Sequence, residues 1–238
     1  MKNHIRRRTR LTAWLLTLAM VFTMLPAFGA LTLTAVAEEA ADVEVVRGPN
    51  IKPFPQADAL ADDLSGDVLL KMEDNITTDH IMPSDSSLLP FRSNIPKLSE
   101  HCLAPVDATF PARAKAAGGG FLLAGQNYGQ GSSREHAAIC PMYLGVKAVI
   151  AMAIERIHAA NLINFGIIPF ILVNPSDYDK IDPEDSITIA DLHGAVKAAA
   201  GVATLKKADG TVAEIALKAN LTDEDKAIIL AGGRLNLK

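Results

Sequence analysis

The chain of 238 residues has little cysteine, and what it has is poorly placed for metal chemistry. It contains only Cys102 and Cys140, and its six histidines include no His-x-x-x-His pair. Iron–sulfur clusters are held by several cysteine thiolates, and zinc sites need closely spaced cysteines and histidines. The sequence therefore predicts that this chain binds no metal by itself. Both cysteines are expected to be apolar core residues, with a disulfide between them as the alternative if the chain is exported.

Positive charge is scarce outside the first ten residues. Those ten hold five basic residues, so the rest of the chain has 18 Lys and Arg against 27 Asp and Glu. The remainder carries a net charge of about −9, which argues against nucleic acid as an electrostatic partner. Local basic pockets for a small di- or tricarboxylate are still compatible with this balance.

Residues 1–37 are predicted to be a secretory signal peptide. A basic stretch up to Arg10 precedes an apolar run at residues 11–33, and Ala35 and Ala37 supply a small-x-small cleavage pattern. An uncleaved membrane anchor is the alternative, because the apolar run is long enough to span a bilayer. The predicted location is therefore outside the cell, or tethered to the membrane through this leader alone.

Beyond the leader, residues 38–66 are predicted to be a linker and residues 67–238 a single folded domain. Aromatic residues make up 5% of the chain and apolar residues 49%, as is typical of an α/β domain. Strands alternating with helices are predicted at 67–71, 120–124, 147–153 and 167–173, followed by antiparallel strands at 186–190, 200–206 and 211–219. Periodicity alone indicates an α/β or α+β fold.

The most informative segment is a glycine-rich turn at residues 128–136, YGQGSSREH. It follows a predicted strand and opens a predicted helix, so backbone N–H groups and the positive end of the helix dipole would face a ligand there. Ser132 and Glu135 have the spacing of a capping box, which predicts the helix start. Two hydroxyls and the Arg134 guanidinium at one corner suit a carboxylate, which arginine can bind through two hydrogen bonds.

This turn resembles the signature of the aconitase and isopropylmalate isomerase superfamily, in its small swivelling domain. Residues 76–83 (ITTDHIMP) are similar to a second signature, and residues 91–95 (FRSNI) to a third. The resemblance covers roughly residues 43–238 and is strongest toward aconitate hydratase, because the TTDH and FR motifs are of the citrate type. It implies a three-layer β/β/α swivelling domain.

The resemblance also implies an activity and roles for five side chains. Members of the superfamily move a hydroxyl between adjacent carbons of a hydroxy-acid by dehydration and rehydration. The catalytic residues would be Ser132 and Asp79, and the substrate-binding residues Arg92, Ser133 and Arg134. Ser132 would be the base, an alkoxide that N–H groups, the helix dipole and a guanidinium can stabilise. Asp79 would face a catalytic histidine on another domain, while His136 and His158 are interpreted as structural.

The superfamily's [4Fe–4S] cluster uses three cysteines, so the resemblance places it on a partner chain or on missing domains. Three hypotheses stay open. The chain is the swivel domain of an aconitase-like hydro-lyase, or an exported di- or tricarboxylate-binding module without catalysis, or an inactive truncated fragment. Within the first hypothesis, the small subunit of an isopropylmalate or homoaconitate-type isomerase is the alternative. The superfamily is intracellular, so the cytoplasm is the alternative location.

Overall fold

The computed structural model describes residues 46–237, and in this range seven β-strands close into one ring. The strands are β1 (Leu64–Met72), β2 (Gly120–Ala124), β3 (Val146–Ala151), β4 (Ile168–Leu172), β5 (Ser186–Ile189), β6 (Ala200–Lys206) and β7 (Val212–Lys218). Their order around the ring is β1-β2-β3-β4-β7-β6-β5, and β5 pairs back with β1. The predicted leader, residues 1–37, lies outside the described residues.

The ring has a parallel half and an antiparallel half. Strands β1 to β4 pair in parallel, whereas β5, β6 and β7 pair antiparallel with their neighbours. Every residue of β2 is buried, as expected for a parallel strand covered on both faces. In β6 and β7 buried and exposed residues alternate, and Gly210 closes the hairpin between them with a positive φ. The α/β class and the mixed sheet are thus present in the structure.

Within residues 46–237, seven α-helices accompany the ring. They are α1 (Thr78–Ile81), α2 (Ile95–Leu98), α3 (Phe110–Ala117), α4 (His136–Tyr143), α5 (Arg156–Asn164), α6 (Leu192–Ala198) and α7 (Asp223–Leu230). Short 3₁₀ helices lie at Ser86–Phe91, Ser99–His101, Pro175–Lys180 and Arg234–Asn236. In the part of the chain that the structure describes, no helix is long and apolar enough to cross a membrane.

Two apolar cores lie on opposite faces of the parallel strands. Phe121 and Ile150 pack inside the ring against residues of the antiparallel half, such as Leu217. Leu122 and Val149, their neighbours along β2 and β3, pack outside the ring against the first helices. Because successive strand residues face opposite sides, strands with apolar residues on both faces can serve both cores. The strands of both halves and the helices therefore pack around two apolar cores.

The segment predicted as a linker contacts the domain closely. The Leu60 amide donates to the Leu230 carbonyl (3.1 Å), and the Asn236 side chain donates to the Ala57 carbonyl (2.7 Å). Strand β1 begins at Leu64, three residues before the predicted boundary of the folded domain. Residues 51–63 contain no helix or strand, in agreement with an irregular segment.

Candidate active site

Two loops meet at the carboxyl ends of neighbouring parallel strands. We call residues 73–82, which follow β1, the acidic loop, and residues 125–135, which follow β2, the signature loop. Four backbone hydrogen bonds join them: Gly125 N to Glu73 O (3.4 Å), Asn75 N to Gln126 O (2.8 Å), Gly129 N to Ile76 O (2.7 Å) and Thr78 N to Gln130 O (2.9 Å). The pairing of β1 with β2 brings both loops to one edge of the sheet. Segments that are 50 residues apart in sequence therefore form one corner.

Ser132 lies at this corner with its main chain fixed and its side chain exposed. The Thr78 hydroxyl donates to the Ser132 carbonyl at 2.9 Å, and Thr78 is only 2% exposed. Gly131, just before it, has a φ of 107°, a left-handed conformation that glycine adopts without strain. Ser132 itself is exposed. Its hydroxyl is therefore accessible to a ligand.

The predicted capping box between Ser132 and Glu135 is wrong. Helix α4 begins at His136, its N-cap is Glu135, and this cap makes no side-chain hydrogen bond. The reason is that Ser132 pairs through its carbonyl with the acidic loop, so the chain enters the helix three residues later. A capping box does form on the acidic loop, between Thr77 and His80 at the start of α1. The Ser132 hydroxyl consequently has no capping role.

Arg134 and Asp79 join the two loops through their side chains. The guanidinium donates from both terminal nitrogens to the two carboxylate oxygens, with 3.2 Å between Nη2 and Oδ2. Ser84 also donates to Asp79, at 3.0 Å. The hydrogen bond from Arg134 holds the pKa of the Asp79 carboxyl below its usual value, against a smaller opposing effect of burial. In this structure the arginine fork predicted to bind substrate is thus engaged with Asp79.

Arg92 lies near Arg134, beyond the 3₁₀ helix that ends at Phe91. Both arginines line one small pocket of about 30 Å³, together with His136. The His136 Nε2–H donates to the Arg92 carbonyl at 3.0 Å, which agrees with a structural role for this histidine. A volume of this size holds about one water molecule, far less than a tricarboxylate. This pocket by itself is therefore too small to enclose a tricarboxylate.

Ser133 has a partner on helix α5. Its hydroxyl accepts a hydrogen bond from the Asn161 side chain at 3.4 Å, and Ser133 is otherwise exposed. Neither Asn161 nor Thr78 was predicted to belong to the site. Their signals in the sequence are only indirect, because Thr78 precedes Asp79 and Asn161 stands three residues after His158. The structure thus brings Ser132, Ser133, Arg134 and Asp79 together and places Arg92 beside them.

The two cysteines lie in the core, away from this corner's exposed surface. Both are buried and unpaired in the structure. Burial raises the pKa of Cys140 to about 12 and the pKa of Cys102 well above its usual value, so both thiols stay protonated. Among the described residues, no group of three or more potential ligands could hold a metal ion. These residues do not fit an iron–sulfur cluster.

Comparisons with known proteins agree with this geometry. The Aconitase C-terminal domain model matches residues 105–175. The chain is 40% identical over 119 residues to 3-isopropylmalate dehydratase small subunit 2 of Archaeoglobus fulgidus, which covers 50% of this chain and 67% of that one. The crystal structure of 3-isopropylmalate dehydratase (leuD) of Methanocaldococcus jannaschii superposes with a TM-score of 0.58 at 30% identity, covering 74% of this chain and 92% of that one. The chain belongs to the aconitase C-terminal domain family.

Other members of this family are much longer. The mitochondrial aconitate hydratase of Gracilaria gracilis is 37% identical over 208 residues, which are 78% of this chain but 26% of that protein. A probable mitochondrial aconitate hydratase of Caenorhabditis elegans is 34% identical over 191 residues, 24% of its length. The chain thus spans about a quarter of the aconitate hydratases that it matches, and most of the small subunits. The family membership expected from the three signatures is confirmed.

Proposed function

We propose that this domain supplies the base and the carboxylate-binding side chains of a hydro-lyase whose iron–sulfur cluster lies on a partner chain. The observation that carries the proposal is the junction of the two loops, at which Thr78 fixes the Ser132 carbonyl and Asp79 pairs with Arg134. A partner is needed because the cysteines of this chain are buried in its core. The small-subunit relatives support a large-subunit partner.

Ser132 is the proposed base. Its hydroxyl would take a proton from a carbon next to a substrate carboxylate, a task for which its exposure and its freedom from capping leave it available. Its main chain is held from the neighbouring loop, so the hydroxyl starts from a defined position. The nearby Arg134 supplies positive charge that favours the alkoxide form.

Arg134, Arg92 and Ser133 are the proposed carboxylate-binding residues. In the described structure Asp79 occupies the Arg134 fork, and the Asp79 side chain is 56% exposed. A substrate carboxylate can offer the same two oxygens, so it can replace Asp79 at the guanidinium. Asp79 would then be released toward the partner, as its proposed role beside a histidine of another domain requires.

Citrate and isocitrate, interconverted through cis-aconitate, are the proposed substrates. The support is the TTDH and FR motifs and the alignment with aconitate hydratases over most of this chain. A second candidate is an isopropylmalate or homoaconitate-type isomerase. It is favoured by the 40% identity to two small subunits, one of them the methanogen homoaconitase small subunit of Methanocaldococcus jannaschii. In either case the domain would swivel against its partner to open and close the site.

The leader is proposed to direct the chain to export, with the cytoplasm as the alternative. The names of several relatives include the word mitochondrial, and this word describes those proteins. Intact-mass analysis of the protein from its source decides between these locations. A chain that begins after Ala37 supports cleavage of the leader, whereas a chain that still carries Met1 and is recovered only from the cytoplasm contradicts it.

Reconstitution tests the proposed reaction. The chain is incubated with citrate under anaerobic conditions with iron and sulfide, first alone and then with an aconitate hydratase truncated of its own C-terminal domain. We expect no cis-aconitate from the chain alone and clear turnover from the mixture. A parallel mixture with an isopropylmalate dehydratase large subunit and isopropylmalate tests the second candidate.

The remaining outcomes of this experiment separate the other hypotheses. Turnover by the chain alone would contradict the need for a partner. Citrate binding by calorimetry, with no turnover in either mixture, would instead support a binding module without catalysis. The absence of both binding and turnover would support an inactive fragment.

A further inference from the structure

Helix α5 lies directly under the signature loop. The Tyr128 amide donates to the Ala153 carbonyl (3.0 Å), and the Glu155 amide, just before α5, donates to the Tyr128 carbonyl (2.9 Å). Tyr128 is 1% exposed, so its ring is enclosed between the loop and the helix. The signature loop, which carries Ser132, is therefore attached at Tyr128 to the segment that leads into α5.

His158 makes the closest contact of this helix with the loop. Its side chain is buried, and its ring meets the Tyr128 ring edge-on, with 5.2 Å between the centroids. A methyl group added at Gly129 would lie 2.2 Å from Cγ and Cδ2 of the His158 ring. The Gly129 backbone therefore lies against the Cβ, Cγ and Cδ2 atoms of His158, and only a residue without Cβ allows such an approach.

The polar atoms of His158 do not explain its place in the fold. Both ring nitrogens lack a hydrogen-bond partner among the described residues, as does the Tyr128 hydroxyl. Buried polar groups are ordinarily paired, so a leucine or phenylalanine would be the simpler core residue. The contact that His158 makes with Gly129 is a van der Waals contact through its carbon atoms.

Asn161 contacts the same loop on the far side of Ser132. Residues three apart lie on one face of a helix, so His158 and Asn161 point in the same direction. His158 supports Gly129, and Asn161 donates to the Ser133 hydroxyl at 3.4 Å. The segment between these two contacts is the segment that carries the Ser132 hydroxyl.

We propose that His158 is a positioning residue. Its ring supports the Gly129 backbone and thereby fixes the position of Ser132 relative to helix α5. Asn161 fixes the other end of the same segment. The inference rests on the proposed role of Ser132 as the base. A base must lie within hydrogen-bonding distance of the proton that it takes, and a displacement of about 1 Å can lower a rate by about a hundredfold. A histidine that merely fills the core would affect stability alone.

Amide hydrogen exchange tests the contact without any partner. The Gly129 and Thr78 amides are suitable reporters, because each donates across the junction of the two loops. In the full chain, His158→Ala should speed their exchange by about tenfold or more, since the loop loses its support. His158→Phe keeps the ring and should stay within about threefold of the wild-type rates.

Ile163→Ala is the matched control. Ile163 is buried on the same helix but belongs to the core that contains Phe121 and Ile150. Its truncation should therefore lower the melting temperature without removing a contact with the signature loop. Reporter amides that exchange equally fast in this variant and in His158→Ala would overturn the proposal, as would wild-type rates in His158→Ala. Rates in His158→Phe that match those of His158→Ala would overturn the ring contact.

A double-mutant cycle gives a second measurement. Gly129→Ala alone places its Cβ 2.2 Å from the ring, whereas a His158→Ala background removes the ring atoms and leaves only the Cβ of residue 158, 2.5 Å from the added methyl, and the strain of the positive φ. We expect Gly129→Ala to lower the melting temperature less in the double variant than in the wild-type background. Additive effects would contradict direct contact between these residues.

Turnover with the cluster-bearing partner then links positioning to chemistry. His158→Ala should lower kcat by about tenfold or more with little change in KM, and His158→Phe should restore it. Unchanged kcat in a His158→Ala enzyme with a loosened loop would overturn the positioning role. If the wild-type chain shows no turnover, the proposed reaction fails, while the exchange rates still decide whether His158 supports the loop.

Discussion

The signature loop is supported from two sides, and the two supports differ in kind. The acidic loop contacts it through polar groups near the surface, where Arg134 is 23% and Asp79 56% exposed in their side chains. Helix α5 contacts it through the buried ring of His158. An exposed ion pair is screened by water and salt and can exchange partners, whereas a close-packed ring cannot move alone. The proposed carboxylate-binding arginine can therefore change its partner at the surface, while the backbone of the loop that carries the proposed base is held from below by close packing.

The largest effect is expected at the residue between these supports. Ser132→Ala should lower turnover with a cluster-bearing partner by at least about a hundredfold, because a general base contributes about 10²- to 10⁴-fold. KM should change little, since a base acts in the transition state. Steady-state kinetics measure both.

The stability of the same variant sharpens the test. Because Ser132 does not cap helix α4, Ser132→Ala should change the free energy of unfolding by less than about 0.5 kcal/mol. Denaturant unfolding measures this. Near-normal turnover with a lowered melting temperature would show that the serine is structural.

The buried support should give the next largest effect, as a dependence of stability on pH. Burial lowers the pKa of His158 from about 6.5 to about 4, so the unfolded chain takes up a proton at higher pH than the folded chain. The contribution of the neutral ring to the free energy of unfolding is complete above about pH 6.5 and is lost as the pH falls toward 4. It amounts to about 3 kcal/mol. Denaturant unfolding at several pH values measures it.

His158→Phe is the control for this pH dependence, because phenylalanine keeps the ring and does not titrate. The difference in unfolding free energy between the two proteins should change by about 3 kcal/mol over this pH window, in favour of the variant at low pH. Carboxyl groups titrate equally in both, so their effect cancels. Parallel curves would show that His158 is not buried as a neutral ring.

The polar support should show a smaller effect, confined to binding. Arg134→Lys keeps the charge but loses the planar fork, so KM should rise about tenfold, with kcat affected less. Lys226→Arg, at an exposed surface pair far along the chain, serves as a matched exchange that should leave KM unchanged. A fall in kcat alone would argue against a carboxylate-binding role for Arg134.

The smallest expected effect concerns the hydrogen bond between the loops. Thr78→Val removes the hydroxyl that donates to the Ser132 carbonyl while keeping the shape of the side chain. The free energy of unfolding should fall by about 1 kcal/mol, the usual net value of one hydrogen bond. Thermal unfolding measures this loss. Thr188→Val gives the comparison, because the Thr188 hydroxyl makes an exposed hydrogen bond with the Ser65 hydroxyl. Equal losses in both variants would mean that the Thr78 contact carries no special weight.

Much of the fold follows from local sequence patterns. The strand predicted at residues 120–124 is observed with those bounds, because five successive apolar residues suit a strand buried on both faces. Residues 200–206 are likewise a strand as predicted, with the alternating pattern of one exposed face. Helix α6, Leu192–Ala198, has no counterpart in the prediction. Its N-cap, Asp191, accepts a hydrogen bond from the Gly194 amide at 3.0 Å, so a start signal was present in the sequence and the prediction missed it.

The site was predicted less completely than the fold. The motifs identified Ser132, Arg134 and Asp79, but not that Asp79 pairs with Arg134 or that Thr78 holds Ser132. These contacts depend on which strands are neighbours, and strand order is a long-range property that local periodicity does not contain. The prediction of a capping box at Ser132 was wrong for the same reason, since a contact with another loop displaced the helix start. The support of Gly129 by His158 is likewise invisible in sequence.

The closed ring has a consequence for the history of this domain. Each described strand has a neighbour on both sides, so no strand offers a wholly unpaired edge to a foreign strand. An edge left bare by separation from a larger protein would invite self-association. A ring of paired strands suits a unit whose relatives include a separate small subunit and a long enzyme of which it matches about a quarter. Such a module can be detached, or joined to a new leader, without repairing its sheet.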